Sequence, residues 1–222
     1  MSFPRYESYK ESGVEWLGDV PEHWKILPLR RLVKAIKTGG TPTGAEESAF
    51  DDDGFNWYSP GDFEENTILE KSNRALSEEG RKEVREFPPN TVMIVGIGAT
   101  IGKVALSRET CSCNQQINGI VCDDRLYFLF ATYYLKTMRN FIVKCGKYTT
   151  LPIINQDETK NIIFPLPPLT EQQAITEFLD LETAKIDTLI TKVESAIEKL
   201  KEYRTALISA AVTGKIDVRE VA

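Results

Sequence analysis

The sequence predicts a mixed α+β globular domain followed by one long C-terminal α-helix, and three observations carry that reading. Leu179, Ile186, Val193, Leu200 and Leu207 recur every seven residues, and Ile190, Ile197 and Ala211 stand four residues after three of them. That is the apolar stripe of a helix that packs on another helix. "NTVMIVGIGATIGKVALSRE" places Val92, Ile94, Val104 and Leu106 in two apolar runs around a glycine-rich centre, which reads as strand, turn, strand. Between these textures "FPLPPLT" carries Pro165, Pro167 and Pro168, a stiff extended joint that stops regular structure. The expected division is residues 1–165 and 166–222.

Taken in order, residues 1–25 read as loop-rich, with Trp16 and Trp24 anchoring them on a core. Leu27–Ile36 mixes apolar and basic residues and ends in the loop "TGGTPTG". "DDDG" (51–54) is turn material, "NWYSPGD" a short strand running into a turn, and "SEEGRKEV" a short helix capped by Ser77. "CSCNQQINGIVCDD" reads as a strand after a polar loop. Arg125–Cys145 is long, aromatic and nearly free of breakers, so it reads as a helix started by Asp123 or Asp124. "GKYTTLPIINQDETKN" is a polar loop and "IIFPL" a last strand. Thr170 and Gln173 fit the capping box of the long helix, and Gly214 closes it. At ~1.5 Å per residue Thr170–Ala211 spans about 63 Å. Leu189, Ala196, Tyr203 and Ala210 widen its stripe, Arg204 interrupts it, and the apolar surface calls for a second copy as partner.

With 41% hydrophobic residues the chain can bury a sizeable core. Its longest uncharged apolar run, Leu126–Leu135, is about half of a membrane span. The start "MSFPRYESYK" lacks an export signal, so the cytoplasm is the expected compartment and no membrane partner is expected. Cys111, Cys113, Cys122 and Cys145 include no paired C-x2-C, and His23 is the single histidine, so no metal site is expected. The net charge is −6, and neither part is basic: residues 1–165 hold 20 Lys and Arg against 23 acids, residues 166–222 hold 7 against 10. Any DNA binding must therefore rest on local patches such as Lys25, Arg30, Arg31, Lys34 and Lys37, or on partner subunits.

Catalytic motifs fail on spacing. "GIGATIGK" (96–103) has Ile97 five residues before Gly102, where a phosphate loop needs glycine, and Val104 where it needs Ser or Thr. As G-x-G-x-x-x-G followed by β-formers it also misses the dinucleotide fingerprint. An adenine methyltransferase needs a polar residue before Pro-Pro and an aromatic after it; "FPPN" (87–90) and "LPPL" (166–169) offer neither arrangement. Asp62, Glu158 and Lys160 could be assembled into a nuclease set, as could residues in almost any chain. What remains suits binding: 37–43, 59–62, 100–103, 114–116 and 146–150 are rich in Gly, Thr, Asn, Gln and Lys, which contact phosphates and base edges.

"YKESGVEWLGDVPEHW", "GGTP", "YSPGD", "ATIGKVA", "NQQ", "PLPPLTEQQAI" and "LISAAVTGKID" together resemble the specificity subunit of type I restriction–modification enzymes, across essentially the whole chain. The resemblance implies a target recognition domain (1–165) and a helical spacer (166–222), without catalysis of its own. It implies double-stranded DNA, modification subunits and, when present, restriction subunits as partners. S-adenosylmethionine for adenine methylation is then held by the modification subunits, with no cofactor in this chain. By position, Lys37, Thr38, Gly39, Gly40, Thr41, Ser59, Thr100, Lys103, Asn114, Gln115, Lys147, Tyr148 and Thr149 face DNA. Full-length members carry two recognition domains and two spacers, whereas this chain has one of each and so resembles a half subunit, either natural or cut from a longer protein, with ends that look like true termini. Two copies are then expected to pair as an antiparallel coiled coil through Leu179, Ile186, Ile190, Val193, Ile197, Leu200 and Leu207, and to read an interrupted palindrome. The rival readings are a coiled-coil adaptor that reads no DNA and a self-sufficient methyltransferase.

Overall fold

Strands form where β-branched residues cluster, and short helices form where a capping side chain precedes them. The computed structural model describes residues 3–43, 47–63, 66–139, 147–148 and 152–219. In chain order the elements are β1 (Tyr9–Glu11), β2 (Asp19–Pro21), β3 (Lys25–Pro28), β4 (Val33–Thr38), β5 (Phe50–Tyr58), β6 (Ile68–Leu69) and β7 (Ala75–Leu76). Then come α1 (Glu78–Lys82), β8 (Thr91–Val95), β9 (Val104–Ser107), β10 (Ser112–Cys113), β11 (Ile117–Cys122) and α2 (Phe128–Thr137). Last are β12 (Lys147–Tyr148), β13 (Pro152–Ile153), α3 (Gln156–Asn161), β14 (Ile163–Leu166) and α4 (Leu169–Val212).

The centre is a five-stranded sheet in the order β4-β11-β8-β9-β6, antiparallel except where β6 runs parallel to β9. Alternation along β8 sends Val92 and Ile94 to one face and Met93 and Val95 to the other. The first face packs with Val104, Leu106 and Ile120 against Leu129, Phe130 and Leu135 of α2 and against Phe164 of β14. The second packs with Ala105 and Ile117 against Tyr58, Phe63, Leu69 and Phe87. Both faces are therefore covered. The strand–turn–strand over 91–107, the strand before Ser59, the Ser77 cap (accepting from the Gly80 amide at 3.2 Å) and the last strand stand as expected from the sequence.

Other expectations are corrected. Asp51–Gly54 lies within β5 rather than in a turn, but Phe50 and Phe55 both face Leu76, so the acidic residues bulge out of the pairing. The helix expected from Arg125 begins only at Phe128, with Tyr127 as cap and no capping side chain; Asp123 binds the Arg125 amide and guanidinium instead. The expected polar loop at 146–161 contains β12 paired with β13, and α3 capped by Asn155 with Glu158 in a reciprocal box. Its capping sequence N-x-x-E was present to be read. Pro165 sits inside β14 opposite Ile26, tolerated because the β14–β3 pair is two-stranded and each strand has an outer edge. Trp16 is exposed beside the Tyr134 ring, and Trp24 is half-buried.

The chain divides into compact units 1–176 and 177–222. The division falls beyond residue 165 because the start of α4 is built into the first unit. Thr170 lies within the first turn, not at its cap, and the Pro168 carbonyl accepts the amides of Glu171 (2.9 Å) and Gln172 (3.0 Å). Gln172 is fully buried at 0% exposure. Its Oε1 accepts the Tyr127 amide at 2.8 Å, and its Nε2 donates to the carbonyls of Arg125 and Pro167, each at 2.9 Å. Gln172 thus supplies to α2 the cap that its own sequence lacks. Glu171 accepts from the Tyr6 hydroxyl (2.6 Å) and Trp24 Nε1 (3.0 Å) and meets His23 Nε2 at 2.8 Å. Burial raises the Glu171 carboxyl, but the hydrogen bonds from Tyr6, His23 and Trp24 outweigh it and hold it below the ordinary glutamate value. Burial and then the bond to Glu171 push Tyr6 up to about 12.

The second unit is the remainder of α4 and its C-terminal end. Gly214, at φ 71°, lets the Lys215 amide reach the Ala210 carbonyl (2.8 Å) while its own amide reaches Ala211 (3.2 Å). This is a Schellman ending. No helix among the described residues is long and apolar enough to cross a membrane.

Replacing Gln172 with Ala strands a buried N–H and two carbonyls, and should cost about 2–4 kcal/mol in urea unfolding of the whole chain. The lowered Glu171 carboxyl contributes stability that is full above the unfolded glutamate value of about 4.3 and is lost as pH falls through the lower folded value. Glu171→Gln should therefore narrow its stability deficit against the parent as pH drops below about 4, read from urea midpoints across that range.

Candidate nucleic-acid interface

Antiparallel pairing decides which loops meet. β4 and β8 end, and β11 and β9 begin, at the same end of the central sheet, so the segments 39–43, 96–103 and 114–116 emerge together. β5 runs parallel to β10, with Tyr58 opposite Cys113, and the Asn114 amide donates to the Tyr58 carbonyl at 2.9 Å, which brings Ser59 to the same end. A bridge from Ile97 to Ile153 and a 2.8 Å bond from the Ile154 amide to the Gly96 carbonyl add β13 and the start of α3. Segments far apart in sequence thus share one rim.

Within that rim the candidate residues differ in what they have left to offer. Lys37 is exposed on β4. The Gly39 amide donates to Ile117 O (3.0 Å) and the Gly40 amide to Cys113 O (2.8 Å), so these amides are spent internally and not turned to phosphate. A Cβ at Gly39 would lie 2.1 Å from the Cys113 carbonyl oxygen, so only glycine fits this approach. Thr41 and Gln115 are exposed and joined through Thr41 Oγ1 and Gln115 Oε1 at 2.5 Å. Ser59 binds Asp62 through its amide (2.7 Å) and hydroxyl (2.8 Å), a capping box for the turn Pro60–Asp62. The Thr100 carbonyl accepts the Lys103 amide, and Lys103 Nζ reaches the Phe63 carbonyl at 2.5 Å. Asn114 is buried and braces the turn to Gln116. Lys147 and Tyr148 belong to β12, and Thr149 lies outside the described residues.

An open cleft of about 340 Å³ lies in this rim, lined by residues that include Thr38, Gln115, Gln116, Asn118, Asn155 and Gln156. The Thr38 hydroxyl lies 2.8 Å from both Asn118 Oδ1 and the Gln156 side chain, its one hydrogen shared between them. Gln156, oriented to satisfy both ends, donates to Ile36 O at 3.1 Å and accepts from the Thr38 amide at 3.2 Å. Asn118 Nδ2 donates to Ile154 O (3.3 Å) and Thr159 Oγ1 (3.4 Å). Gln116 fell within the binding segment 114–116 read from the sequence, whereas Asn118, Asn155 and Gln156 were not singled out there. "NQQ" pointed at Gln116, while strand pairing alone brings in the other three.

The "GIGATIGK" turn is no phosphate cradle, since the Ile101, Gly102 and Lys103 amides bond to Gly98, Val95 and Thr100 carbonyls and the Ile101 side chain is buried. The basic patch is partly answered: Lys34 pairs with Asp124 at 2.8 Å, and Arg30 donates to the Asn161 side chain. Burial pushes the thiols of Cys111 up to about 11 and Cys122 up to about 12, leaving them protonated.

In the second unit the apolar stripe is bare. Ile186, Ile190, Val193, Ile197, Leu200 and Leu207 are 45–66% exposed, and Leu179 is half-buried. Glu182–Lys185 (2.6 Å) and Glu198–Lys201 (2.7 Å) decorate the polar side.

Residues 21–199 match the family model described as the type I restriction modification DNA specificity domain. The type I restriction enzyme MjaIX specificity subunit of Methanocaldococcus jannaschii is 26% identical over 218 residues, covering 94% of this chain and 46% of that protein. The EcoKI specificity subunit of Escherichia coli is 25% identical over 212 residues, covering 90% and 44%. This chain spans about half the length of the curated relatives it matches. In fold it is similar to the crystal structure of the HsdS subunit from Thermoanaerobacter tengcongensis, with a TM-score of 0.67, 20% identity, and 94% of this chain and 48% of that one covered.

Gly39→Ala should destabilise the chain by about 2 kcal/mol or more, because backbone must move to admit the methyl group. Gly40→Ala, with nothing within 4 Å of its added carbon, should stay within about 0.5 kcal/mol of the parent in the same denaturation measurement.

Proposed function

The chain belongs to the type I restriction modification DNA specificity family, and from that premise we propose that it reads one half of a bipartite DNA site on behalf of modification subunits. One observation supports this most: in a chain of this family, polar segments from 38–41, 59–62, 96–103, 114–116 and 152–157 gather at one end of a sheet whose two faces are covered. That end is the DNA-facing surface in this reading. Lys37, Thr41 and Gln115, exposed on it, make the first contacts, and Asn114, Ser59 and Gly39 hold the loops in place.

The bare stripe of α4 is covered by a second copy running antiparallel, and Leu179, Ile186, Ile190, Val193, Ile197, Leu200 and Leu207 form the seam. Two readers then stand related by a twofold axis, and the DNA site is an inverted repeat with a fixed gap. The chain performs no chemistry. Modification subunits supply S-adenosylmethionine and methylate adenine, and restriction subunits, when present, join the same assembly. The complex works in the cytoplasm. Because the chain is acidic overall, its own DNA affinity is weak and grows when modification subunits add contacts.

The parent chain should sediment as a concentration-dependent dimer, and Ile190→Glu combined with Ile197→Glu should leave it monomeric and folded, since both residues are solvent-exposed in the single chain. Methylated adenines mapped in DNA treated with chain plus modification subunits should fall in inverted half-sites at one spacing, and the double variant should lose them. A monomeric parent at high concentration, or methylation indifferent to the double substitution, would count against the paired reader.

A further inference from the structure

Two side-chain amides in the cleft have their orientation fixed by the protein, and that restricts what they can recognise. The main-chain amide of Gln116 donates to Asn114 Oδ1 at 3.0 Å. A backbone N–H can only donate, so the Asn114 amide has one possible sense, and at 7% exposure its side chain is packed in place. Asn114 Nδ2 then donates to Gln116 Oε1 at 3.1 Å. This occupies the Gln116 oxygen and leaves its Nε2 as a donor in the cleft beside Gly98, where an added Cβ would lie 3.4 Å from it. Asn155 repeats the logic: its Oδ1 accepts the amides of Asp157 (2.9 Å) and Glu158 (3.0 Å) as the cap of α3, so the end not engaged is again the donor. Asn118 and Gln156 are tied up inside the rim, as described. Asp157, the acid lining the cleft, is answered by Lys160 at 2.9 Å.

We propose that Gln116 and Asn155 are specificity-determining residues that read acceptors on a base edge, so that the cleft selects a keto base, guanine or thymine. In the major groove guanine offers O6 and N7 and thymine offers O4, and adenine shares the N7 acceptor. The keto bases are therefore separated from adenine and cytosine at the 6- or 4-position, which the two donors face in this reading and where adenine N6 and cytosine N4 are themselves donors. A freely turning carboxamide pairs with adenine by giving and accepting at once. The Gln116 oxygen is held toward Asn114 and the Asn155 oxygen takes both cap bonds, so neither amide turns to give and accept at once, and an amino group facing either donor would leave both unpaired after water is expelled. The inference rests on the DNA-reading function proposed above.

The test uses the chain assembled with modification subunits, binding a library in which the half-site is randomised. Gln116→Glu keeps an oxygen for Asn114 Nδ2 and puts an acceptor where the donor was; Asn155→Asp keeps the α3 cap and makes the same exchange. The parent should select guanine or thymine at one position per contacted residue. Each variant should shift that position alone by about tenfold toward cytosine or adenine, and Gln116→Ala should erase the preference there without creating a new one. A uniform fall in binding across all sequences, as a phosphate contact would give, or an unchanged profile overturns the inference alone. A parent complex with no sequence preference overturns the DNA-reading function and this inference with it.

Discussion

Burial of β8 on both faces is the constraint from which the rest of the first unit follows. Val92 and Ile94 face α2 and β14, while Met93 and Val95 face the layer of Tyr58, Phe63 and Phe87. A sheet closed on both sides has no face to show a partner. Only its ends remain, and there the backbone leaves regular pairing and polar side chains gather. The polar rim is in this sense a consequence of core packing, and the loops need no charge of their own to converge.

The same economy governs the start of α4. Its first turns are held by tertiary bonds: Gln172 closes the α2 terminus, and Glu171 draws in Tyr6, His23 and Trp24. An acid in the first turn is also favoured by the helix dipole. The adjacent Glu and Gln in "LTEQQ" thus have separate duties, one toward the N-terminal segment and one toward the α2 cap. The joint is specific because of hydrogen bonds as well as proline stiffness.

Much of this was legible in sequence where one periodicity or one cap decides the outcome. The heptad stripe marked α4, Ser77 marked α1, and the two apolar runs around Gly96–Gly102 marked β8 and β9. Legibility failed where a distant partner supplies what the local sequence lacks. Asp123 and Asp124 looked like caps for α2, but the cap comes from Gln172, 45 residues on. Asp51–Gly54 looked like a turn, and only the register against Leu76 reveals a bulge. In the rim, composition pointed to 37–43 and 114–116, but could not say that the Gly39 and Gly40 amides are already spent, nor that β13 brings Asn155 into the cleft with Gln116. Those facts live in pairing between strands, which no local window contains.

The Schellman ending at Gly214 and the bonded start at Leu169 give α4 two fixed marks. Any residue inserted between them would lengthen the helix by about 1.5 Å and turn everything beyond it by about 100°. Growth by a single residue would turn the downstream leucines off the line of the stripe, whereas growth by a heptad drifts by only about 20°. Length in this element is therefore quantised: the apolar stripe stays in one line only when the helix grows in jumps that restore phase, and intermediate lengths break it.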